Sequence, residues 1–180
     1  MSKATYRVMS KIPTHVRYIA RSGARPSEHP VETKWSHPSM DVPALDTLIY
    51  VRINQVGLAR VTSYFVEDGY LGVMVQPIAP PEWYVKQNGR HAPAHFFGSE
   101  VDPAPDVPVT QRAQVRILKD FSERVSNGTK KRYTAQVRNG LGQILLDGRE
   151  ERTTPELALK LANKFCTKNA LTIYSVEFPS

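Results

Sequence analysis

The chain has 180 residues, of which 41% are hydrophobic and 23% charged, an ordinary globular composition that suffices for one domain or two small ones. No apolar run approaches the ~18 residues of a membrane helix and no signal peptide is visible, so we expect a soluble protein without a membrane partner. The single cysteine, Cys166, excludes an intramolecular disulfide and a multi-cysteine zinc site.

The cysteine content predicts a reducing, cytoplasmic location. An organelle matrix is the alternative, because residues 1–27 carry six Lys/Arg and no acid, as transit peptides do. Pro13 and Pro26 interrupt the amphipathic helix that such a peptide needs, so this interpretation ranks second.

The net charge of +7 is unevenly distributed along the chain. Residues 1–40 carry seven Lys/Arg against two acids, residues 41–109 four against eight, and residues 110–180 thirteen against seven. Two basic segments therefore flank an acidic one. This pattern favours an anionic partner, although a basic arm that lies on the acidic centre would also account for it.

Residues 1–45 predict a basic, proline-rich arm. Trp35 is the expected anchor, because a lone tryptophan in such a segment has a large apolar surface to bury. Arg17 and Arg21 are candidate phosphate contacts if the arm binds nucleic acid.

Residues 46–79 contain three predicted strands, at 48–53, 58–66 and 70–76, with a hairpin turn at Asp68-Gly69. The short strands and glycine corners predict a small bent antiparallel sheet or barrel. Over about thirty-five residues the stretch resembles the SH3-like barrels of KOW and Tudor modules. This resemblance implies a binding module.

Residues 77–108 contain seven prolines, which argue against a regular helix or a central strand. Trp83, Tyr84, Phe96 and Phe97 predict an ordered loop instead, and they are candidate anchors for a protein partner. His91 and His95 have a metal-ligand spacing, but Pro93 argues against the helix that would bring them together. We therefore expect no metal and no other cofactor.

Residues 109–180 predict a β-β-β-α-β unit. A strand at 113–117, a polar connection at 120–131 and a strand at 132–138 are followed by a return strand, a helix and a last strand, at 143–147, from 155 onwards and at 171–178. Thr153 or Thr154 caps the helix, and Asn169 is the expected left-handed stop. The predicted buried stripe of the helix consists of Leu157, Ala158, Leu161, Ala162 and Phe165.

The order of three strands and a helix, over residues 113–165, resembles the small DNA-binding domains of plant ethylene-response factors and phage-integrase arms. The resemblance implies major-groove reading by a polar sheet face, which here corresponds to Arg132, Thr134, Gln136 and Arg138.

The predicted helix also carries Lys160, Lys164 and Lys168 in line at intervals of four residues. Like charges at this spacing weaken a helix slightly, so helix stability does not explain them. A solubilising lysine face would explain them, as would an anionic partner. The row is close in sequence to four further cations: Lys130, Lys131, Arg132 and Arg138.

The sequence thus predicts an α+β, mostly β protein with an arm (1–45), a small β module (46–108) and a sheet-plus-helix unit (109–180). No phosphate-binding loop, dinucleotide turn or hydrolase motif occurs, so we expect no enzyme and no catalytic residue. The leading hypothesis is a nucleic-acid-associated protein, binding DNA or RNA through the basic residues named above. The alternative is a protein-interaction module that uses the 77–108 loop.

Overall fold

The structure is a computed structural model that describes residues 6–19, 32–125, 128–148 and 150–180; the side chains of residues 120–130 lie outside this description. The chain forms two compact units, Met1–Pro105 and Asp106–Ser180. The described residues are mostly β-strand with two α-helices, which confirms the predicted class. No helix among them is both long enough and apolar enough to cross a membrane.

The first unit contains eight strands and one helix in its described part. The strands are β1 Arg7–Val8, β2 Val16–Ile19, β3 Lys34–Trp35, β4 Leu48–Val51, β5 Gly57–Glu67, β6 Tyr70–Pro77, β7 Ala94–Phe97 and β8 Val101–Pro103, and the helix is α1 Glu82–Asn88. Short 3₁₀ turns occur at Ile53–Gln55 and Gly98–Glu100.

These strands form one sheet in the order β1-β3-β6-β5-β4-β8, with β2 added to β5 and β7 added to β6. The path has two free ends within the described residues, so no closed sheet is present and the SH3-like barrel is not confirmed. The sheet is also mixed rather than antiparallel, because β2 pairs parallel with β5 and β3 pairs parallel with β6. Both parallel pairs involve strands from the predicted arm, whose pairing no local turn signal specifies.

Strand β5 is buried on both faces along its second half. The register of β5 against β6 shifts between Val61 and Ser63. Beyond this bulge Tyr64, Phe65 and Val66 are buried in succession, so the two-residue alternation expected for a half-buried strand ends there. Gly72 lies under the Phe65 ring, and a Cβ there would come within 2.1 Å of Phe65 Cζ. A larger residue at this position would displace the ring.

Trp35 is the anchor that its sequence context predicts. Its side chain is 1% exposed and belongs to the core of the first unit. The indole Nε1 donates a hydrogen bond of 2.8 Å to the Met40 carbonyl oxygen. Tyr64 makes a similar bond nearby, from its hydroxyl to the Pro43 carbonyl oxygen at 2.7 Å. These two bonds attach the segment around residues 40–43 to the core.

Helix α1 contradicts the prediction that residues 77–108 contain no regular helix. The seven-residue helix fits between Pro81 at its N-cap and Gly89 at its C-cap. Proline is tolerated at a helix start, where the backbone N–H has no intrahelical partner. The prolines of this segment therefore bound the helix instead of preventing it.

The second unit consists of β9 Arg112–Val125, β10 Gly128–Asn139, β11 Ile144–Asp147, α2 Pro155–Lys168 and β12 Thr172–Glu177, after a 3₁₀ turn at Val109–Gln111. The elements follow the predicted order. They build a four-stranded sheet, β11-β10-β9-β12, in which β12 runs parallel to β9. Helix α2 packs on one face, over a core that includes Val115, Ile117 and Val137.

The predicted polar connection at 120–131 is wrong for most of its length. Strand β9 continues to Val125 and β10 begins at Gly128, with residues 126 and 127 outside the description. Backbone pairs such as Thr129–Arg124 and Arg132–Asp120 continue the ladder through this charged stretch. A two-stranded ribbon has no face that must be apolar, so its sequence resembles that of a loop.

The buried stripe of α2 is turned relative to the prediction. Ala158 and Ala162 are buried as expected, but Leu159 and Cys166 are buried as well. Leu157, which the stripe included, is 39% exposed. Small residues at 158 and 162 allow the helix backbone to approach the sheet closely, which brings the 159–166 side of the helix into the core. The side of the helix that carries Leu157 and Leu161 lies at the edge of this core.

The helix ends also differ in detail from the prediction. Thr154 is the N-cap, and its hydroxyl oxygen accepts a hydrogen bond of 3.2 Å from the Leu157 backbone N–H. At the other end Ala170, with a φ of 52°, takes the left-handed conformation predicted for Asn169.

Candidate nucleic-acid interface

The sheet of the second unit has a polar face opposite α2, which we call the arginine face. Strand alternation produces this face. Ala135 pairs with Ile117 and Val137 pairs with Val115, and these four side chains belong to the core beneath α2. The residues that alternate with them along β9 and β10 point to the opposite face of the sheet. The arginine face contains Gln114, Arg116, Leu118, Arg132, Thr134, Gln136 and Arg138.

Arginine and glutamine alternate across the two central strands of this face. Arg116 lies opposite Gln136, and Gln114 lies opposite Arg138. Arg138 Nε donates to Gln136 Oε1 at 3.0 Å, and Gln136 Nε2 donates to Asp147 Oδ1 at 3.1 Å. Guanidinium and carboxamide groups are the side chains that bind guanine and adenine edges bidentately in the major groove.

Two arginines of this face make ion pairs with glutamates. Arg116 Nε is 2.8 Å from Glu177 Oε2, and Arg132 Nη1 is 2.5 Å from Glu151 Oε2. All four side chains are between 39% and 63% exposed. Exposed pairs of this kind contribute about 0–1 kcal/mol, so a phosphate competes with them at little cost.

Three cations of the β9–β10 hairpin have no ion-pair partner among the described residues: Lys119, Lys131 and Arg138. Lys119 and Lys131 are exposed, and strand alternation places them on the same side of the hairpin as Ile117 and Ala135, opposite the arginine face. Both lie beyond the positions where β12 pairs with β9 and β11 pairs with β10. The hairpin there is a two-stranded ribbon, apart from a bridge between Tyr133 and Arg152. Lys130 belongs to β10, but its side chain lies outside the description.

Thr134 belongs to the arginine face by register but is only 3% exposed. The backbone of Gly148 covers it, where the Gly148 N–H donates to the Ala135 carbonyl oxygen at 3.1 Å. A Cβ on Gly148 would come within 2.9 Å of Thr134 Oγ1. Of the four residues implied by the resemblance to sheet-reading domains, the other three keep partly accessible side chains.

The lysines of α2 lie on the other side of the sheet. Lys160, Lys164 and Lys168 are exposed, and α2 packs on the face opposite Arg132 and Arg138. The structure therefore does not bring the helix lysines and the arginines into one surface. Lys164 and Lys168 line a groove of about 650 Å³ between α2 and β11.

The remaining candidate residues lie in the first unit. Arg17 is exposed on β2, and Arg21 lies outside the described residues. Tyr84 is 5% exposed and donates a 2.7 Å hydrogen bond to the Ala92 carbonyl oxygen. Phe96 is buried, and the half-buried Phe97 packs edge-on against the Phe65 ring.

Trp83 is the aromatic residue of this segment with the largest exposed fraction, 38%. It borders a shallow pocket of about 490 Å³ together with Asn54, Gln55 and Gln87. Asn54 and Gln55 have positive φ angles of 52° and 58°.

The two histidines of the 77–108 segment are not brought into a metal cluster with other residues that the structure describes. His95 packs edge-on against Phe65, with ring centroids 5.4 Å apart. In the described part of the chain, no group of three or more His, Cys, Asp or Glu side chains is arranged to hold a metal ion. Cys166 is buried, and its burial raises the pKa of the thiol to about 11.

Comparison with known proteins supplies no family: no family model, curated protein or solved structure matches the chain.

Sequence reasoning omitted Lys119, Gln114 and Arg116 from the candidate site. Gln114 and Arg116 alternate with buried residues in the same way as Gln136 and Arg138, so the pattern was present in the sequence. What the sequence lacked was the register that places Arg116 opposite Gln136.

Proposed function

We propose that the protein binds nucleic acid without catalysis, through the β9–β10 hairpin. The observation that carries this proposal is the set of cations without ion-pair partners among the described residues, Lys119, Lys131 and Arg138, on a hairpin that also presents alternating Arg and Gln side chains. The excess of thirteen Lys/Arg over seven acids in residues 110–180 supports the same conclusion.

The dimensions of the hairpin suit a DNA duplex. Neighbouring strands lie about 4.8 Å apart, so a two-stranded ribbon, or three strands that span about 10 Å, fits a major groove about 12 Å wide. The major groove of A-form RNA is too deep and narrow for side chains to read. In this pose the Arg116–Gln136 and Gln114–Arg138 pairs meet base edges, and Lys119 and Lys131, which point away from the arginine face, contact the phosphates that border the groove.

The test is a titration of a labelled mixed-sequence DNA duplex with the full chain and with two variants. The variant Lys119→Ala/Lys131→Ala/Arg138→Ala removes the proposed contacts, and Lys164→Ala/Lys168→Ala removes the same kind of charge from helix α2. We expect Kd to rise about 100-fold or more for the first variant at low salt, and less than about threefold for the second. Equal losses in both variants would contradict the proposal.

A second candidate function, a protein-interaction module based on the 77–108 segment, is favoured by the exposed Trp83. Tryptophan is frequent among residues that dominate binding energy at protein interfaces, and the neighbouring Asn54, Gln55 and Gln87 supply polar contacts for a rim. Its test is purification from the native source with nuclease. A stoichiometric partner that survives nuclease and is lost in the Trp83→Ala variant supports this function, and a preparation without one contradicts it.

A further inference from the structure

Strand β11 is an unprotected sheet edge next to a groove. Within the described residues β11 pairs with β10 alone, so its outer backbone groups have no strand partner. Sheet edges of this kind carry free N–H and C=O groups that readily pair with another extended chain. Three apolar side chains on or next to this edge are exposed: Leu141, Ile144 and Leu145 have exposed fractions of 62%, 49% and 39%.

The groove between β11 and α2 has an apolar interior. Its volume of about 650 Å³ lies within the range of ligand sites. The apolar lining comes from the sheet side and the helix side together: Ala135, Leu145, Leu146, Leu161 and Phe165. Leu161 and Phe165 are the part of the predicted helix stripe that remains half-buried at the margin of the core.

At the rim of the groove the acidic side chains have partners, whereas two lysines have no ion-pair partner among the described residues. Glu150 pairs with Arg152 at 2.7 Å, and Asp147 accepts a hydrogen bond from Gln136. Lys164 and Lys168, on the helix side, have no ion-pair partner among the described residues. The lysines without ion-pair partners therefore lie along the helix wall of the groove.

We propose that this groove binds an extended acidic peptide by strand addition to β11. The peptide pairs with the outer edge of β11, a mode of recognition in which main-chain hydrogen bonds supply affinity and alternate side chains supply specificity. Side chains two residues apart share one face of the peptide and enter the groove, an apolar one against Leu161 and Phe165 and acidic ones against Lys164 and Lys168.

The spacing of the lysines agrees with such an occupant. Residues four apart in a helix are about 6 Å apart along its axis, and residues two apart in a strand are about 6.6 Å apart. A peptide with acidic residues at positions i and i+2 therefore matches Lys164 and Lys168. The four residues of β11 can pair with a segment of similar length.

The charge of the rim argues against the two other occupants of a sheet edge. A second copy of this chain would bring its own Lys164 and Lys168 towards the first pair, and like charges across an interface are unfavourable. A nucleic acid would place its charged backbone against the apolar lining from Leu146, Leu161 and Phe165, and beside the carboxylates of Asp147 and Glu150. The proposed site is also on the opposite side of the sheet from the arginine face, and it does not depend on the proposed nucleic-acid function.

The test uses the full chain and a fluorescein-labelled ten-residue peptide in which every second residue forms the groove-facing set, a leucine followed by two glutamates, with threonine at the positions between them. We expect saturable binding with Kd in the micromolar range, no comparable binding of the same peptide with lysine in place of glutamate, and slower hydrogen exchange of the β11 amides in the complex. Lys164→Glu/Lys168→Glu should weaken binding at least tenfold. Lys160→Glu is the matched control, because Lys160 lies on the same helix but does not line the groove.

A second variant addresses the apolar contact. Leu161→Glu changes a half-buried side chain in the groove wall and should abolish binding, with the helix content verified by circular dichroism. The proposal is overturned if the acidic peptide does not bind at millimolar concentration, or if it binds the Lys164→Glu/Lys168→Glu variant equally well. A concentration-dependent dimer abolished by Leu145→Glu, or a DNA affinity that depends on Lys164 and Lys168, would assign the groove to another occupant.

Discussion

The two faces of the four-stranded sheet are built from alternate residues of the same strands, yet they have opposite properties. On β10, Val137 is fully buried beneath α2, while its neighbours Gln136 and Arg138 form hydrogen bonds on the arginine face. The face beneath α2 supplies folding energy through apolar burial. We expect the arginine face to contribute little to stability, because its ion pairs are exposed to solvent.

Substitutions on adjacent residues of β9 separate these roles most clearly. Ile117 is 1% exposed, and Ile117→Ala should lower the free energy of unfolding by about 2–5 kcal/mol through lost burial and a cavity. Arg116 is 54% exposed, and Arg116→Ala should lower it by less than about 1 kcal/mol. Urea unfolding measures both values. Similar losses for the two variants would mean that the arginine face is structural.

A smaller effect concerns Cys166, which lies on the buried face of α2. Burial raises the pKa of its thiol from 9.0 to about 11, so the unfolded chain loses this proton at a lower pH than the folded protein does. The stability contributed by the neutral thiol is therefore complete below pH 9 and declines as the pH rises towards 11.

The measurement for this prediction is the free energy of unfolding of the wild-type protein relative to Cys166→Ala between pH 8 and pH 11. Since the variant retains every other titratable group, the difference isolates the thiol. We expect the wild type to lose stability relative to the variant by at most about 1.4 kcal/mol per pH unit above pH 9. A difference that does not change with pH would show that the thiol is not desolvated.

The sequence specified the second unit better than the first. Period-two alternation at 133–137, the capping threonines and the apolar helix positions predict the β-β-β-α-β order, because each of these signals is local. The long β9–β10 ribbon was missed, since its charged residues resemble those of a polar loop. The pairing of β2 with β5 and of β3 with β6 depends on contacts between distant residues, and a single sequence does not encode them in any short pattern.

In the candidate site, too, the sequence predicted what local spacing determines and did not predict what long-range contacts determine. Alternation on β10 predicted that Arg132, Gln136 and Arg138 share a face, and the register bears this out. Helical spacing predicted the row of Lys160, Lys164 and Lys168, whose side chains are all exposed. The sequence did not indicate that the sheet separates the two sets, because that separation depends on the face over which α2 crosses.

The salt dependence of DNA affinity tests the central proposal most directly, namely that the β9–β10 hairpin binds nucleic acid and the α2 lysines do not. For a duplex of fixed sequence, log K is plotted against log salt for the wild type and for two double variants, Lys119→Ala/Lys131→Ala and Lys164→Ala/Lys168→Ala. Each lost phosphate contact reduces the magnitude of the slope by about 1. We predict a reduction of about 2 for the hairpin variant and none for the helix variant. A slope that falls in the helix variant and is unchanged in the hairpin variant would contradict the proposal.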